Sequence, residues 1–181
     1  GFRVMSTNKE VKSIDDFKGQ KIRTMENSYH MDFWKALKAN PTPMTFSEVY
    51  IGLQQKTIDA QENPYEVIVS SKLYEQQDYV VETNHLPHYI SLIVSDEFYK
   101  DLPKDQQKII SEAAETAKEY ARKASDERIE DRMKVIKDSG TKIVRLDKKT
   151  QEDVRKASSD IYKSIEENVS KDVFDAYLNQ K

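Results

Sequence analysis

The chain has 181 residues, a formal net charge of −3 and no cysteine. A slightly acidic chain lacks the basic excess of a nucleic-acid surface, so we expect no nucleic-acid partner. The absence of cysteine excludes disulfides, thiolate metal sites and a cysteine nucleophile. No apolar run approaches the roughly 18 residues that a transmembrane helix needs.

Short strands and helices alternate along the first third of the chain. Alternating residues predict strands at Phe2–Thr7 and around Lys21–Met25. Asn27 or Ser28 can cap the helix that follows. The apolar stripe of that helix is Tyr29, Phe33, Trp34 and Leu37.

The run from Pro43 to Pro64 combines a helix with a polar loop. Thr45 and Glu48 have the spacing of a capping box, and apolar residues follow at helical intervals. The run ends in Gln61, Glu62, Asn63 and Pro64, where Asn63 could be the N-cap of a new helix. Such a polar cluster fills a core poorly and suits a polar ligand.

The remaining chain predicts further strands, one very long helix and two shorter ones. The strands are expected at Asp78–Thr83, His88–Ser95 and Lys142–Leu146, and the helices at Lys104–Ser139, Thr150–Val169 and Lys171–Leu178. Together the elements predict an α/β fold, with a mostly parallel sheet flanked by helices and one long connecting helix.

Two arginines lie on predicted strands among apolar neighbours. Arg3 and Arg23 each need an anionic partner, and the planar guanidinium fork suits a carboxylate. A ligand could supply that carboxylate. An internal acid or plain exposure would explain the same residues equally well.

The sequence does not predict a catalytic or metal site. No phosphate loop and no nucleophile motif is present, and His85 and His88 have no apparent third metal ligand. An acid–base pair of Glu62 and His85 in a hydrolase or lyase is the weakest alternative. We therefore expect neither enzymatic activity nor a cofactor.

Five segments, in order, resemble the solute-binding proteins of TRAP transporters, the DctP-like family. They are GFR, DDFKGQKIRTM, NPTPMTFSEVYIGLQQKTIDAQENP, KLYEQQDYVVETNH and LPKDQQKIISEAA. The specific part is the KIR strand together with the helix that runs into QENP. The family usually has glycine where Lys56 stands, at a turn that glycine would ease.

This resemblance implies a bacterial extracytoplasmic receptor, periplasmic or on the cell surface. It implies that Arg23 forms a salt bridge with the carboxylate of a small organic acid, a C4-dicarboxylate or a sugar acid. Arg3 would assist, Asn63 would form a hydrogen bond with the same end of the ligand, and Phe46 would lie near the cleft. Glu62 is a further candidate ligand residue. The receptor would close on the acid and deliver it to the membrane subunits of a TRAP permease.

The resemblance also implies that this chain lacks the family's N-terminal domain. Residues 1–88 and 129–181 would form the second α/β domain, and residues 89–128 would cross into the incomplete first domain. The HYISLIV segment would then offer an open strand edge through which chains could pair. The alternative function is a helical protein-interaction module organised by residues 104–139.

Overall fold

A computed structural model describes residues 1–178 of the chain. Within that range the strands are β1 (Phe2–Thr7), β2 (Lys21–Thr24), β3 (Asn40–Pro43), β4 (Ala60–Asn63), β5 (Tyr79–Pro87) and β6 (Lys142–Arg145). The helices are α1 (Ser28–Ala36), α2 (Val49–Gln54), α3 (Tyr65–Ser70), α4 (Asp96–Asp101), α5 (Lys104–Asp138), α6 (Lys148–Ala157), α7 (Ser159–Glu166) and α8 (Lys171–Leu178). Short 3₁₀ helices span Ile14–Phe17, Phe46–Glu48 and Leu73–Gln76.

The strands form one mixed sheet in the order β3-β2-β4-β1-β5-β6. The pairs β2–β3, β2–β4 and β5–β6 are parallel, as expected when helices cross over between strands. Strand β1 makes the sheet mixed because it runs antiparallel to both β4 and β5. The predicted α/β fold with a mostly parallel, helix-flanked sheet is confirmed. Pro41 and Pro43 are tolerated because β3 lies at the sheet edge.

One apolar cluster covers each face of the sheet. Successive residues of β1 separate the two clusters: Met5 packs with the first and Val4 with the second. The first cluster draws Trp34 from α1, Leu37 from the residue that follows α1, and Val154 from α6. The second draws on α2, α3 and the end of α5. Successive side chains of a strand point to opposite faces of the sheet, so those at the end of the sheet approach α1 and the α2–α3 layer alternately.

The long helix is present almost as predicted, at Lys104–Asp138. At 1.5 Å per residue it extends about 52 Å. Its C-terminal part is attached to the sheet, since Ile136 is buried and Arg132 forms a two-pronged ion pair with Glu66 of α3. Most residues of its middle part are exposed.

The capping-box prediction is wrong. The Thr45 side chain makes no capping hydrogen bond, and Phe46–Glu48 form a 3₁₀ turn before α2 begins at Val49. Phe46 is 45% exposed and so does not join the apolar side of that helix. Asn63 is also not the N-cap of α3. It ends β4, and Pro64 occupies the N-cap position.

Two other local expectations have different outcomes. The single helix expected over residues 150–169 is divided into α6 and α7 at Ser158, whose hydroxyl donates to the Val154 carbonyl. Lys56 has a φ of 58°, in the left-handed region, so the prediction that glycine would ease this turn is confirmed.

The strand expected at His88–Ser95 is not formed. Strand β5 ends at Pro87, and residues 88–95 have no regular secondary structure. Tyr89, Ile90, Leu92 and Ile93 are each more than three-quarters exposed. No strand among residues 1–178 pairs with this segment, and a strand without a partner is not stable on its own. The predicted strand is therefore wrong, and chain pairing through this exposed apolar segment stays a prediction.

Candidate functional site

The predicted ligand residues meet at one end of the sheet. The parallel strands β2 and β4 end there, and the antiparallel strand β1 begins there, with Val4 opposite Asn63. Arg23 pairs with Gln61 in register on β2 and β4. The topology thus gathers residues that are 20 to 60 positions apart in sequence.

Arg3 is held by an internal acid. Its Nε lies 2.5 Å from Glu62 Oε2, and its Nη2 lies 3.0 Å from Glu62 Oε1. The same Nη2 donates to the Glu62 carbonyl at 2.7 Å and to Asn63 Oδ1 at 3.0 Å. The Arg3 and Glu62 side chains are 4% and 0% exposed. Arg3 therefore forms the internal ion pair that was its alternative explanation, and its role at a ligand stays a prediction.

Glu62 has two histidines beside it as well as Arg3. His85 Nε2 lies 3.0 Å from Glu62 Oε2, and His30 Nδ1 lies 3.5 Å from Glu62 Oε1. Burial alone would raise the pKa of Glu62. The histidine contacts and the hydrogen bonds from Arg3 outweigh burial and hold that pKa well below its usual value. Glu62 is therefore an internal anion that balances Arg3.

His85 is a neutral hydrogen-bond bridge. Burial lowers the pKa of its imidazole, and the attraction of Glu62 does not offset the burial. Thr83 Oγ1 lies 2.8 Å from Nδ1, and Phe33 stacks on the ring with centroids 5.0 Å apart. A neutral ring can accept from Thr83 at Nδ1 and donate from Nε2 to Glu62. His85 thereby fixes the orientation of the Glu62 carboxylate.

Arg23 differs from Arg3 in having only a backbone partner. Its Nε and Nη2 both donate to the Met44 carbonyl, at 2.9 and 2.8 Å. It is 4% exposed, yet it forms no salt bridge with any residue in the range 1–178. Burial lowers the pKa of its guanidinium, with Glu62 opposing and Arg3 adding to that shift. A buried cation with no acidic partner is the main unbalanced charge at this end of the sheet.

Phe46 lies beside Arg23. The Arg23 guanidinium carbon is 5.7 Å from the centroid of the Phe46 ring, within the range of a cation–π contact. Because the 3₁₀ turn leaves the ring 45% exposed, Phe46 can face both Arg23 and a ligand. The structure thus places Phe46 next to the arginine to which the resemblance assigns the ligand carboxylate.

Asn63 is buried and already engaged through both ends of its amide. Its Oδ1 accepts from Arg3, and its Nδ2 donates to Gln61 Oε1 at 2.7 Å. Sequence reasoning placed Gln61 in the polar cluster without giving it a role, and it missed His30 and the Met44 carbonyl as parts of this site. The signal for Gln61 and Asn63 was their i, i+2 spacing, which places both on one face of β4. No sequence signal identifies a backbone carbonyl as a partner.

The geometry disfavours the acid–base alternative. Glu62 is 0% exposed and kept ionised by three neighbours, so it is a poor proton donor and lies out of reach of a substrate. Within residues 1–178 no group of three or more His, Cys, Asp or Glu side chains is arranged to hold a metal ion. None of the helices in the same range combines the length and apolar composition of a membrane span.

The fold and the site define an α/β binding unit, with a buried cation at the end of a mixed sheet. Residues 1–168 match the model of DctP, the bacterial extracellular solute-binding protein family 7, and the chain belongs to this family. The family consists of extracytoplasmic transport receptors and not of enzymes.

Curated relatives match most of this chain but only part of their own length. The sialic acid-binding periplasmic protein SiaP of Vibrio cholerae is 30% identical over 96% of this chain and 53% of its own. The 2,3-diketo-L-gulonate-binding periplasmic protein YiaO of Escherichia coli is 34% identical over 83% of this chain and 46% of its own. The chain therefore spans about half the length of these relatives.

Solved structures support the same fold. A TRAP periplasmic solute-binding protein from Haemophilus influenzae, with bound L-gulonate, has a TM-score of 0.94 and 34% identity. It aligns with 100% of this chain, which covers 60% of that protein. A homologue from Shewanella oneidensis, with bound succinate, has a TM-score of 0.92 and 31% identity over 97% of this chain and 58% of its own.

Proposed function

We propose that this chain is the carboxylate-binding part of an extracytoplasmic receptor for a small organic acid. The observation that carries the proposal is Arg23, a buried guanidinium held only by a backbone carbonyl. A ligand carboxylate would balance this charge, and a charge-assisted hydrogen bond contributes about 1.5–3 kcal/mol. The succinate and L-gulonate bound to related structures support this ligand class.

Each site residue has a role in the proposal. Arg23 binds the carboxylate, and Asn63 donates to the same end of the ligand. Phe46 forms an aromatic wall beside Arg23. Arg3 and Glu62 hold this end of the sheet in place, and Arg3 acts on the ligand through Asn63.

The domain assignment is part of the proposal. Residues 1–88 and 129–181 form the second α/β domain, and residues 89–128 cross into another domain. Residues 179–181 lie outside the described range. The sheet and both apolar clusters draw their members from residues below 88 or from 129 upward, which supports the division. The whole receptor would close on the acid and pass it to a TRAP permease.

Calorimetry on a protein that carries this chain at the full length of its relatives tests the proposal. Succinate, L-gulonate, galactonate and N-acetylneuraminate form the ligand panel. We expect Arg23→Ala to abolish binding of whichever acid binds the parent protein. Arg145→Ala is the matched control, because Arg145 is an exposed arginine of the same sheet, paired with Glu82. Undiminished affinity in Arg23→Ala would rule the proposal out.

The 181-residue chain provides a second test. We expect it to bind these acids poorly on its own, because the residues that would close over Arg23 belong to the other half of the receptor. Micromolar binding by the monomeric chain would contradict this expectation.

A further inference from the structure

A row of buried polar side chains runs from Arg3 along the sheet, away from the site. Asn63 Nδ2 donates to Gln61 Oε1 at 2.7 Å, and Gln61 Nε2 donates to Ser6 Oγ at 2.8 Å. Ser6 Oγ then donates to Gln77 Oε1 at 3.0 Å. All four residues are at most 5% exposed. The row crosses the two adjacent strands β4 and β1 and ends in the turn before β5.

Both ends of the row permit only one direction of donation. At the site end, Arg3 carries donors and no acceptor, so the Asn63 atom that faces it must be the oxygen. At the far end, Gln77 Nε2 faces the backbone carbonyls of Gln76 and Asp59, at 3.0 and 3.5 Å, which can only accept. Every amide between these ends is therefore oriented by its neighbours.

The direction of the row determines what Asn63 can offer a ligand. Nδ2 has two N–H groups, and Gln61 occupies one of them. Turning the amide over would place its N–H groups against the donors of Arg3 and its oxygen against Gln61 Oε1. Both new contacts would be repulsive in a site where burial makes unpaired polar groups costly.

We infer that Gln61, supported by Ser6 and Gln77, is a positioning residue that sets the ligand specificity of Asn63. It locks the amide so that the free polar group beside the Arg23 strand is an N–H donor. The ligand group recognised there is then a hydrogen-bond acceptor, as a carboxylate is, and an amide N–H of a ligand is rejected. This inference rests on the proposed function for its ligand and on the hydrogen-bond row for its direction.

Binding measurements on the full-length receptor test the inference through Gln61→Met, a variant of similar length without an acceptor. We expect its affinity for the bound acid of the panel to fall roughly tenfold, the effect of one hydrogen bond of this kind. We also expect the preference for that acid over its primary amide to narrow, because the Asn63 amide can now turn.

Ser6→Ala removes the next link while leaving Gln61 in place. It should show the same loss to a smaller degree, and it replaces Gln61→Met as the test if the methionine variant does not fold. Unchanged affinity and unchanged acid-over-amide preference in a folded Gln61→Met protein would overturn the inference. If Arg23→Ala still abolishes binding in that case, the inference about Gln61 is rejected and the proposed function is retained.

A measurement without ligand covers the case in which no acid of the panel binds. In the 181-residue chain, NMR can follow hydrogen exchange of the Asn63 side-chain amide. We expect the proton donated to Gln61 to be protected in the parent chain and to lose at least tenfold protection in Gln61→Met. Equal exchange in the two proteins would overturn the inference independently of the receptor's ligand.

Discussion

The two arginines at the end of the sheet have opposite surroundings. Arg3 faces the α1 layer and is matched by Glu62, which His85 and His30 also contact. Arg23 faces the other layer and has only the Met44 carbonyl. Both are nearly fully buried, so exposure does not distinguish them. We therefore expect the matched charge of Arg3 to serve the scaffold and the unmatched charge of Arg23 to be available to a ligand.

The largest expected effect comes from comparing the loss of the partner of Arg3 with the loss of Arg23 itself. Glu62→Gln leaves Arg3 as an uncompensated buried charge, and we expect the free energy of unfolding to fall by about 3–5 kcal/mol. Arg23→Met removes a charge that has no internal partner, and we expect a change of at most about 1 kcal/mol. Urea denaturation at pH 7 measures both.

The double variant Arg3→Met with Glu62→Leu is the control for that comparison. Removing both charges leaves neither one unpaired, so it should cost less than Glu62→Gln alone. A loss for Arg23→Met as large as that for Glu62→Gln would show that Arg23 is also a scaffold residue.

Acid should weaken the Arg3 region in two stages. The pKa of His85 is lowered by burial, so the unfolded chain takes up its proton first, and stability falls as the pH drops below about 6.5. The pKa of Glu62 is depressed in the folded chain. Its contribution is therefore complete above about pH 4.5 and is lost as the pH falls further.

Thermal unfolding across pH 4 to 8 checks the first stage. His85→Gln keeps an N–H donor for Glu62 but does not titrate. The free energy of unfolding should therefore fall by about 1 kcal/mol less between pH 7.5 and 5.5 in this variant than in the parent chain. His88, whose pKa is also lowered by burial, should leave a smaller residual slope. An unchanged slope in His85→Gln would show that the pKa of His85 is the same in the folded and the unfolded chain.

The smallest expected effect concerns the aromatic neighbour of Arg23. Phe46→Ala removes a cation–π contact at a half-exposed site, worth about 0.5–1 kcal/mol. We expect acid affinity in the full-length receptor to fall two- to fivefold, with little change in thermal stability. Phe46→Leu, which keeps an apolar wall without the π face, should weaken binding to a similar degree.

Much of the fold could be predicted from local patterns. The long polar helix from Lys104, the strand at DYVVET and the helix with Trp34 follow from periodicity and composition. The predictions failed where an element depends on a neighbour. His88–Ser95 has the composition of a strand, but no strand in the described range pairs with it. Thr45 has capping spacing, but a 3₁₀ turn intervenes.

The site likewise combines features that the sequence predicts with features that depend on tertiary contacts. By itself the sequence determined the α/β class, the family resemblance and the positions of Arg3, Arg23, Phe46, Glu62 and Asn63. Only the tertiary structure decided which arginine is matched, because an ion pair forms between residues that the strand register brings together. Val4 lies opposite Asn63 across the β1–β4 pair, which places Arg3 against an acid 59 positions away and leaves Arg23 without one.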